Sequence, residues 1–300
     1  MTYLFFALLF ALGTAIGSFL NVLTLRYVPG GPLFSLKRLG GRSRCPACGR
    51  TLTASELVPL ASFFALGGRC GTCRARISPQ YPLVEFLSGA IVAGTPLFLA
   101  SFYRVSLSAL AAFALPRWYY VLFLAWIGVL LSWLVLSVID LRHYLIPDAL
   151  NVALLALGAV ITGVSAFHTH ELFPFTTSFM GNYAMVFSPF QGIVANHVFG
   201  FAAAGAFFLV LFLVSAGRGM GFGDVKLAAV TGFVLGWPDV ALALILSFIA
   251  GGAWGAILFF SKKKTMKDRL PFGPFLVLGF LLALFFGHAI IAGYFSVFGL

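Results

Sequence analysis

Again and again this chain runs for roughly twenty residues almost without charge, about the length an α-helix needs to cross the hydrocarbon core of a bilayer. Such runs cover Tyr3 to Leu25, Leu83 to Phe102, Trp118 to Ile139, Ala149 to Phe167, His197 to Ala216, Val225 to Gly236, Val240 to Phe260 and Phe272 to Phe298. Only Glu85 and Lys226 are charged within them. The runs lack strand-like alternation, and a backbone in lipid must satisfy its own polar groups, so helices are the expected spanning element. Hydrophobic residues make up 61% of the chain and charged ones 9%, with mean hydropathy +1.04, which excludes an ordinary water-soluble domain. The expected fold is an all-α polytopic membrane protein of about eight transmembrane helices. The Val225 run is short, so its helix is expected to start or stop within the membrane.

Between the first two runs the character changes. Residues 26–80 are rich in Gly, Pro, Cys and Arg and read as a small water-exposed domain, which divides the chain into a first helix (1–25), this insert, and a multi-helix membrane domain (81–300). No basic residue precedes Tyr3 and Arg26 follows Leu25, a pattern that predicts an anchor with its N-terminus outside. With that orientation the segments Arg26 to Gln80, Asp140 to Asp148, Arg218 to Lys226 and Lys262 to Arg269 face the cytoplasm, and only Arg104 and Arg117 lie outside. Positive residues collect on the cytoplasmic side of membrane proteins, so topology explains the net charge of +11 and the Lys262-Lys263-Lys264 run. No nucleic acid is needed, and the expected partners of this basic face are anionic lipid head groups.

All four cysteines fall in the insert, as Cys45-Pro-Ala-Cys48 and Cys70-Gly-Thr-Cys73. Two Cys-x-x-Cys knuckles at this separation are the pattern of a structural four-thiolate zinc site, a zinc-ribbon-like module. A cytosolic location disfavours disulfides, and the βαβ surroundings of a redox dithiol are missing. Four thiolates leave no open position for a catalytic water, so the zinc is expected to hold the insert together and to do no chemistry.

The acids carry the chemistry. Asp224 closes the glycine-rich stretch Gly219-Met-Gly221-Phe-Gly223-Asp224 at the start of an apolar helix, where an N-cap role is expected as well. The glycines at 219, 221 and 223 permit positive φ and close approach of another backbone, so they suit a site that an extended peptide must reach. Asp140 ends the third run, where a helix dipole disfavours an anion, so local structure does not account for it. Asp148 follows Pro147 and suits the next helix start. In the predicted topology Asp140 and Asp224 share one membrane face, and two facing carboxylates that hold one proton between them can drive attack of water on a peptide bond.

In order along the chain, Gly17-Ser-Phe-Leu-Asn-Val22, the two knuckles, Ile77 to Glu85, Ile139-Asp-Leu-Arg142, Ile146-Pro-Asp148, Gly219 to Leu227 and Pro271-Phe-Gly-Pro-Phe275 resemble the prepilin peptidase family, membrane aspartic proteases with a Gly-x-Gly-Asp motif. That resemblance implies a helical bundle in the bacterial inner membrane with Asp140 and Asp224 as the catalytic pair near the cytoplasmic surface. It implies precursors of type IV pilins or type II secretion pseudopilins as substrates, cut after a glycine. For members with the four-cysteine insert it also implies methylation of the new N-terminal residue with S-adenosylmethionine. Glu85, an acid at the start of a run beside the insert, is the one candidate for the methyl-donor site, its other reading being a helix-start carboxylate. The segment Ala216-Gly217-Arg218 departs from the acidic residue the family often carries there, and the loop 168–196 is long for the family. His168 and His170 in that loop lack a third metal ligand. The alternative from another class is a proton- or cation-coupled transporter, which also uses intramembrane carboxylates.

Overall fold

In the computed structural model, which describes residues 2–103, 105–112, 114–168, 178–190, 192–262, 270–297 and 299, the apolar runs are helices. Contacts group the chain into two compact units, Met1–Pro116 and Arg117–Leu300.

The first unit holds α1 (Thr2–Leu25), α2 (Leu36–Leu39), a 3₁₀ turn at Ser55–Leu57, α3 (Ala61–Ala65), α4 (Gln80–Phe102) and α5 (Leu107–Ala111). Small residues let α1 and α4 approach closely, the usual solution where lipid gives no hydrophobic drive for helix pairing. A Cβ on Gly13 would lie 2.7 Å from the Cα of Gly89, and one on Gly17 would lie 2.7 Å from the Cα of Glu85. Asn21, buried in this seam, donates its side-chain amide to the carbonyl of Tyr81 at 3.0 Å. Arg26 donates to the carbonyls of Arg38, Leu39 and Gly40 and so closes the C-terminal end of α2. Composition places the edge of the insert at residue 80, whereas by contacts α4 belongs with α1 and the cysteine segment.

The second unit holds α6 (Arg117–His143), α7 (Asp148–His168), a 3₁₀ turn at Gly181–Tyr183, α8 (Ala184–Phe187), α9 (Ile193–Val214), α10 (Phe222–Leu235), α11 (Asp239–Phe260) and α12 (Gly273–Val297). Trp133 of α6 is fully buried against Phe280 of α12, ring centroids 5.5 Å apart. Gly200 of α9 and Gly232 of α10 meet backbone to backbone, and α10 also packs on α7.

Seven of these helices, α1, α4, α6, α7, α9, α11 and α12, are long and apolar enough to cross a membrane. The expected eighth is α10, and it is short: 14 residues, which rise roughly 21 Å at 1.5 Å each. It begins at Phe222, three residues before the expected start, and stops at Gly236, whose φ of +78° ends the helix. Helix α6 continues past the expected Ile139 to His143, so Asp140 sits within its last turn.

The described part of the long loop packs against the helices of this unit. The Trp237 indole donates to the carbonyl of Phe187 at 2.7 Å, and Tyr183 stacks on Phe295 at 5.2 Å. His168 stacks on Trp118 at 5.6 Å. His170 lies outside the described residues, as do Lys263 and Lys264.

Candidate active site and metal centre

Asp224 lies in the first turn of α10, at its third residue. The expected N-cap position belongs to Gly221, whose N–H donates to Asp224 Oδ2 at 3.1 Å. The carboxylate thus satisfies an orphan donor of its own helix from inside, because the helix starts earlier than the apolar run. Asp224 is buried, with 9% of its surface exposed.

Asp140, 4% exposed, is held differently. Its Oδ2 accepts the N–H of Gly273, the first residue of α12, at 3.0 Å. The C-terminal end of α6 is a poor place for an anion, and the N-terminus of α12 supplies the compensating dipole. Gly273 has to lack a side chain here, since a Cβ would lie 2.7 Å from that oxygen. Among the described residues neither Asp140 Oδ1 nor Asp224 Oδ1 has a hydrogen-bond partner, and the two carboxylates lie within electrostatic reach of one another.

None of Gly219, Gly221 and Gly223 takes a positive φ. The left-handed residues are Ala216 and Gly217, where α9 ends, as helices commonly do. What Gly219 and Gly223 provide is proximity: Gly223 lies against Ile146, with an added Cβ 3.3 Å from that side chain, and Gly219 lies against Ser215. Asp148 starts α7 as expected and pairs at 2.8 Å with Lys226, whose ammonium also sits 5.4 Å from the Phe222 ring.

Glu85 is buried more than a turn inside α4 and so does not act as a helix-start acid. Its Oε2 accepts the N–H of Leu60 at 2.8 Å, and Ser18 is a further partner, so it braces the start of α3 against the α1–α4 pair. Asp239 escapes sequence reading altogether. It accepts the Ser178 hydroxyl at 3.0 Å and the N–H groups of Phe179 and Met180 at 3.3 and 3.1 Å, fastening one end of the long loop to α11. A lone acid after Pro238 at the head of an apolar run was the available signal.

The cysteines converge. Each knuckle closes with an antiparallel bridge, Arg44 with Thr51 and Arg69 with Arg76, and with paired main-chain bonds such as Cys45 N–H to Arg50 O and Cys70 N–H to Ala75 O, both 2.9 Å. All four Sγ atoms lie within 4.8 Å of one another, and Cys45 and Cys73 are 3.8 Å apart. Four sulfurs held ~2.3 Å from one ion at tetrahedral angles would stand about 3.8 Å apart, so this donor set fits a metal ion. The N–H groups of Cys73 and Thr72 point at the Cys70 sulfur and bring that thiol down to about 6, and those of Cys48 and Ala47 lower Cys45 in the same way. Both therefore favour the thiolate a metal needs, whereas burial and the crowding of the neighbouring sulfurs push the Cys73 thiol up to about 11.

Together these features define a class: a multi-pass helical membrane protein with two buried aspartates at helix ends and a four-cysteine module. A family model for the bacterial peptidase A24 N-terminal domain matches residues 11–102, and the type IV leader peptidase family model matches residues 127–256. The chain is 32% identical over 82% of its length to the prepilin leader peptidase/N-methyltransferase of Burkholderia pseudomallei (strain K96243), spanning 67% of that protein. It is 31% identical to the prepilin leader peptidase/N-methyltransferase of Stutzerimonas stutzeri, over 94% of this chain and 91% of that one. The protein of that name from Bacillus subtilis (strain 168) is 31% identical over 96% of this chain and 97% of its own. No solved structure matches the chain. The chain belongs to the type IV leader peptidase family.

Proposed function

We propose that this protein is a membrane aspartic endopeptidase that removes the leader of prepilins or pseudopilins after a glycine and then methylates the new N-terminal amine. The observation that carries the proteolytic part is the joint burial of Asp140 and Asp224, each with one oxygen tied to a main-chain N–H at a helix start and the other without a hydrogen-bond partner among the described residues. Two buried carboxylates within reach of each other cannot both carry charge cheaply, so the pair holds a proton. The charged member takes a proton from water as it attacks the scissile carbonyl. The protonated member donates to the carbonyl oxygen and later to the departing nitrogen. The titration belongs to the pair, so the roles are those of the pair and not of either residue alone. Gly219, Gly221 and Gly223 keep the approach to Asp224 free of side chains for the substrate backbone.

The same reading places the protein in the bacterial inner membrane, with the aspartates and the cysteine segment on the cytoplasmic side and the N-terminus outside. The apolar side chains exposed along the long helices, such as Leu8, Val152, Val210 and Phe286, face lipid there. The ion in the cysteine module is zinc, held by Cys45, Cys48, Cys70 and Cys73 in a structural role. S-adenosylmethionine, when bound, supplies a sulfonium methyl that the amine takes as the carbon–sulfur bond breaks toward sulfur, the amine releasing a proton. Nothing in the comparisons favours the coupled transporter.

The test is a precursor pilin incubated with the purified protein, followed by mass spectrometry of the new N-terminus. Cleavage lost in both Asp140→Asn and Asp224→Asn supports the protease. Cleavage intact in either one removes that aspartate from the chemistry, and cleavage intact in both removes the reading.

A further inference from the structure

The cysteine segment carries an open cleft of about 680 Å³ lined by Phe63, Phe64, Gly67, Gly68, Arg69 and Arg76 among others. Its size lies in the range of sites that take a cofactor-sized molecule, ~300–1,000 Å³. Gly67 and Gly68 both have positive φ, +61° and +66°, and the turn they make lays the Phe63 ring across Gly68, where an added Cβ would stand 3.0 Å from the ring edge. Phe64 stands edge-on to Phe63 at 5.7 Å and is 72% exposed.

Arg69 and Arg76 face one another across the antiparallel bridge of the second knuckle. Like charges directly opposite on paired backbones are unfavourable. The corresponding bridge of the first knuckle sets Arg44 against Thr51 and so avoids the clash. Nor can an acid of the segment neutralise the pair. Glu56 is the only Asp or Glu between Arg26 and Gln80, and it is spent on Arg50 and on the N–H and hydroxyl of Thr53. Two arginines on one bridge, both lining a cleft that also has an aromatic wall, suit a ligand with a carboxylate at one end and an aromatic or cationic group at the other.

Building on the methyl-transfer reading above, we propose that this cleft is the methyl-donor site. Arg69 and Arg76 would hold the carboxylate of S-adenosylmethionine, and Phe63 with Phe64 would hold its adenosyl-sulfonium end. Glu85 then acts as a brace for the start of α3, the helix that carries both phenylalanines, and does not touch the donor.

The test is binding of S-adenosylmethionine to the full chain in detergent, measured by calorimetry, together with metal content and leader cleavage. We expect Arg76→Glu and the pair Arg69→Glu/Arg76→Glu to weaken binding by about tenfold or more, the scale of one lost charge-assisted hydrogen bond, and Phe63→Ala to weaken it by about five- to tenfold, the scale of one lost cation–π contact. Arg76→Lys should retain most of the affinity. All should keep their metal and cleave the leader at the unmutated rate, because cleavage is assigned to Asp140 and Asp224. Variants that keep their metal and bind the donor as before overturn the assignment, as would arginine variants that lose only affinity for phosphatidylglycerol vesicles. Should the double variant shed its metal, ultraviolet crosslinking of the donor to the unmutated chain decides: attachment at Phe63 or Phe64 supports the cleft, and attachment on α4 near Glu85 overturns it. An unmutated protein that neither binds the donor nor methylates ends the methyl-transfer reading itself, and this inference with it.

Discussion

The two buried aspartates are anchored in opposite ways. Asp224 accepts the N–H of Gly221, three residues back in its own first turn, whereas Asp140 accepts the N–H of Gly273, 133 residues away on another helix. A local anchor forms whenever its helix forms. A distant one exists only when α6 and α12 are fully packed, so the geometry of Asp140 reports on the whole bundle. The two sites should therefore respond very differently to changes around them, though equally to loss of the acid itself.

Equal loss is the largest expected effect. Asp140→Asn and Asp224→Asn should each lower leader cleavage by roughly 10²–10⁴-fold, the usual weight of a general acid or base, read as initial rates on a precursor pilin. The next effect separates the two anchors. Gly273→Ala puts a methyl into space that Asp140 Oδ2 now occupies, and a displacement near 1 Å costs on the order of 10²-fold, whereas Gly221→Ala meets its nearest atom, Asp224 Oδ2, only at 3.7 Å. Cleavage that falls several-fold or less in Gly221→Ala and steeply in Gly273→Ala sharpens the contrast. Equal rates in the two would break it.

Smaller still is the exposed Lys226–Asp148 pair, which links the fifth residue of α10 to the first of α7. Asp148→Ala should change thermal stability by less than about 1 kcal/mol, the ordinary weight of a surface ion pair. The smallest effect tests whether local anchoring behaves alike in the cysteine segment. The Thr53 N–H, then the Arg50 guanidinium, hold the Glu56 carboxyl below its ordinary value. That stabilisation is complete above the ordinary carboxylate range and is lost as pH falls through the lowered value. The difference in thermal stability between the unmutated chain and Glu56→Gln should therefore be largest above the ordinary carboxylate range and vanish at low pH, since protonation of the cysteine sulfurs weakens both alike.

What could be read from the sequence follows the same divide. Seven helices, the short eighth, the cysteine knuckles and the candidate aspartates all rest on composition or close spacing, which a linear reading registers. Gly273 stood within a recognised motif, but nothing near it in sequence names Asp140 as its partner. Asp239 is not legible in this way because its partners, Ser178, Phe179 and Met180, lie in a loop without periodicity. The three alternate glycines suggested a strained backbone, yet the reversal belongs to Ala216 and Gly217. Helix termination at Ser215 set that turn, and glycine count did not. Glu85 looked like a helix-start acid because α4 begins before its apolar run does.

The brevity of α10 bears on supply. A hydrolase consumes water, and hydrocarbon holds almost none. A segment that rises roughly 21 Å leaves about 9 Å of a ~30 Å apolar layer uncovered along its axis. Where that gap falls at the Gly221 end of α10, the reagent has only a short road to Asp224. Lengthening the helix by two turns at that end would close the road without replacing either aspartate.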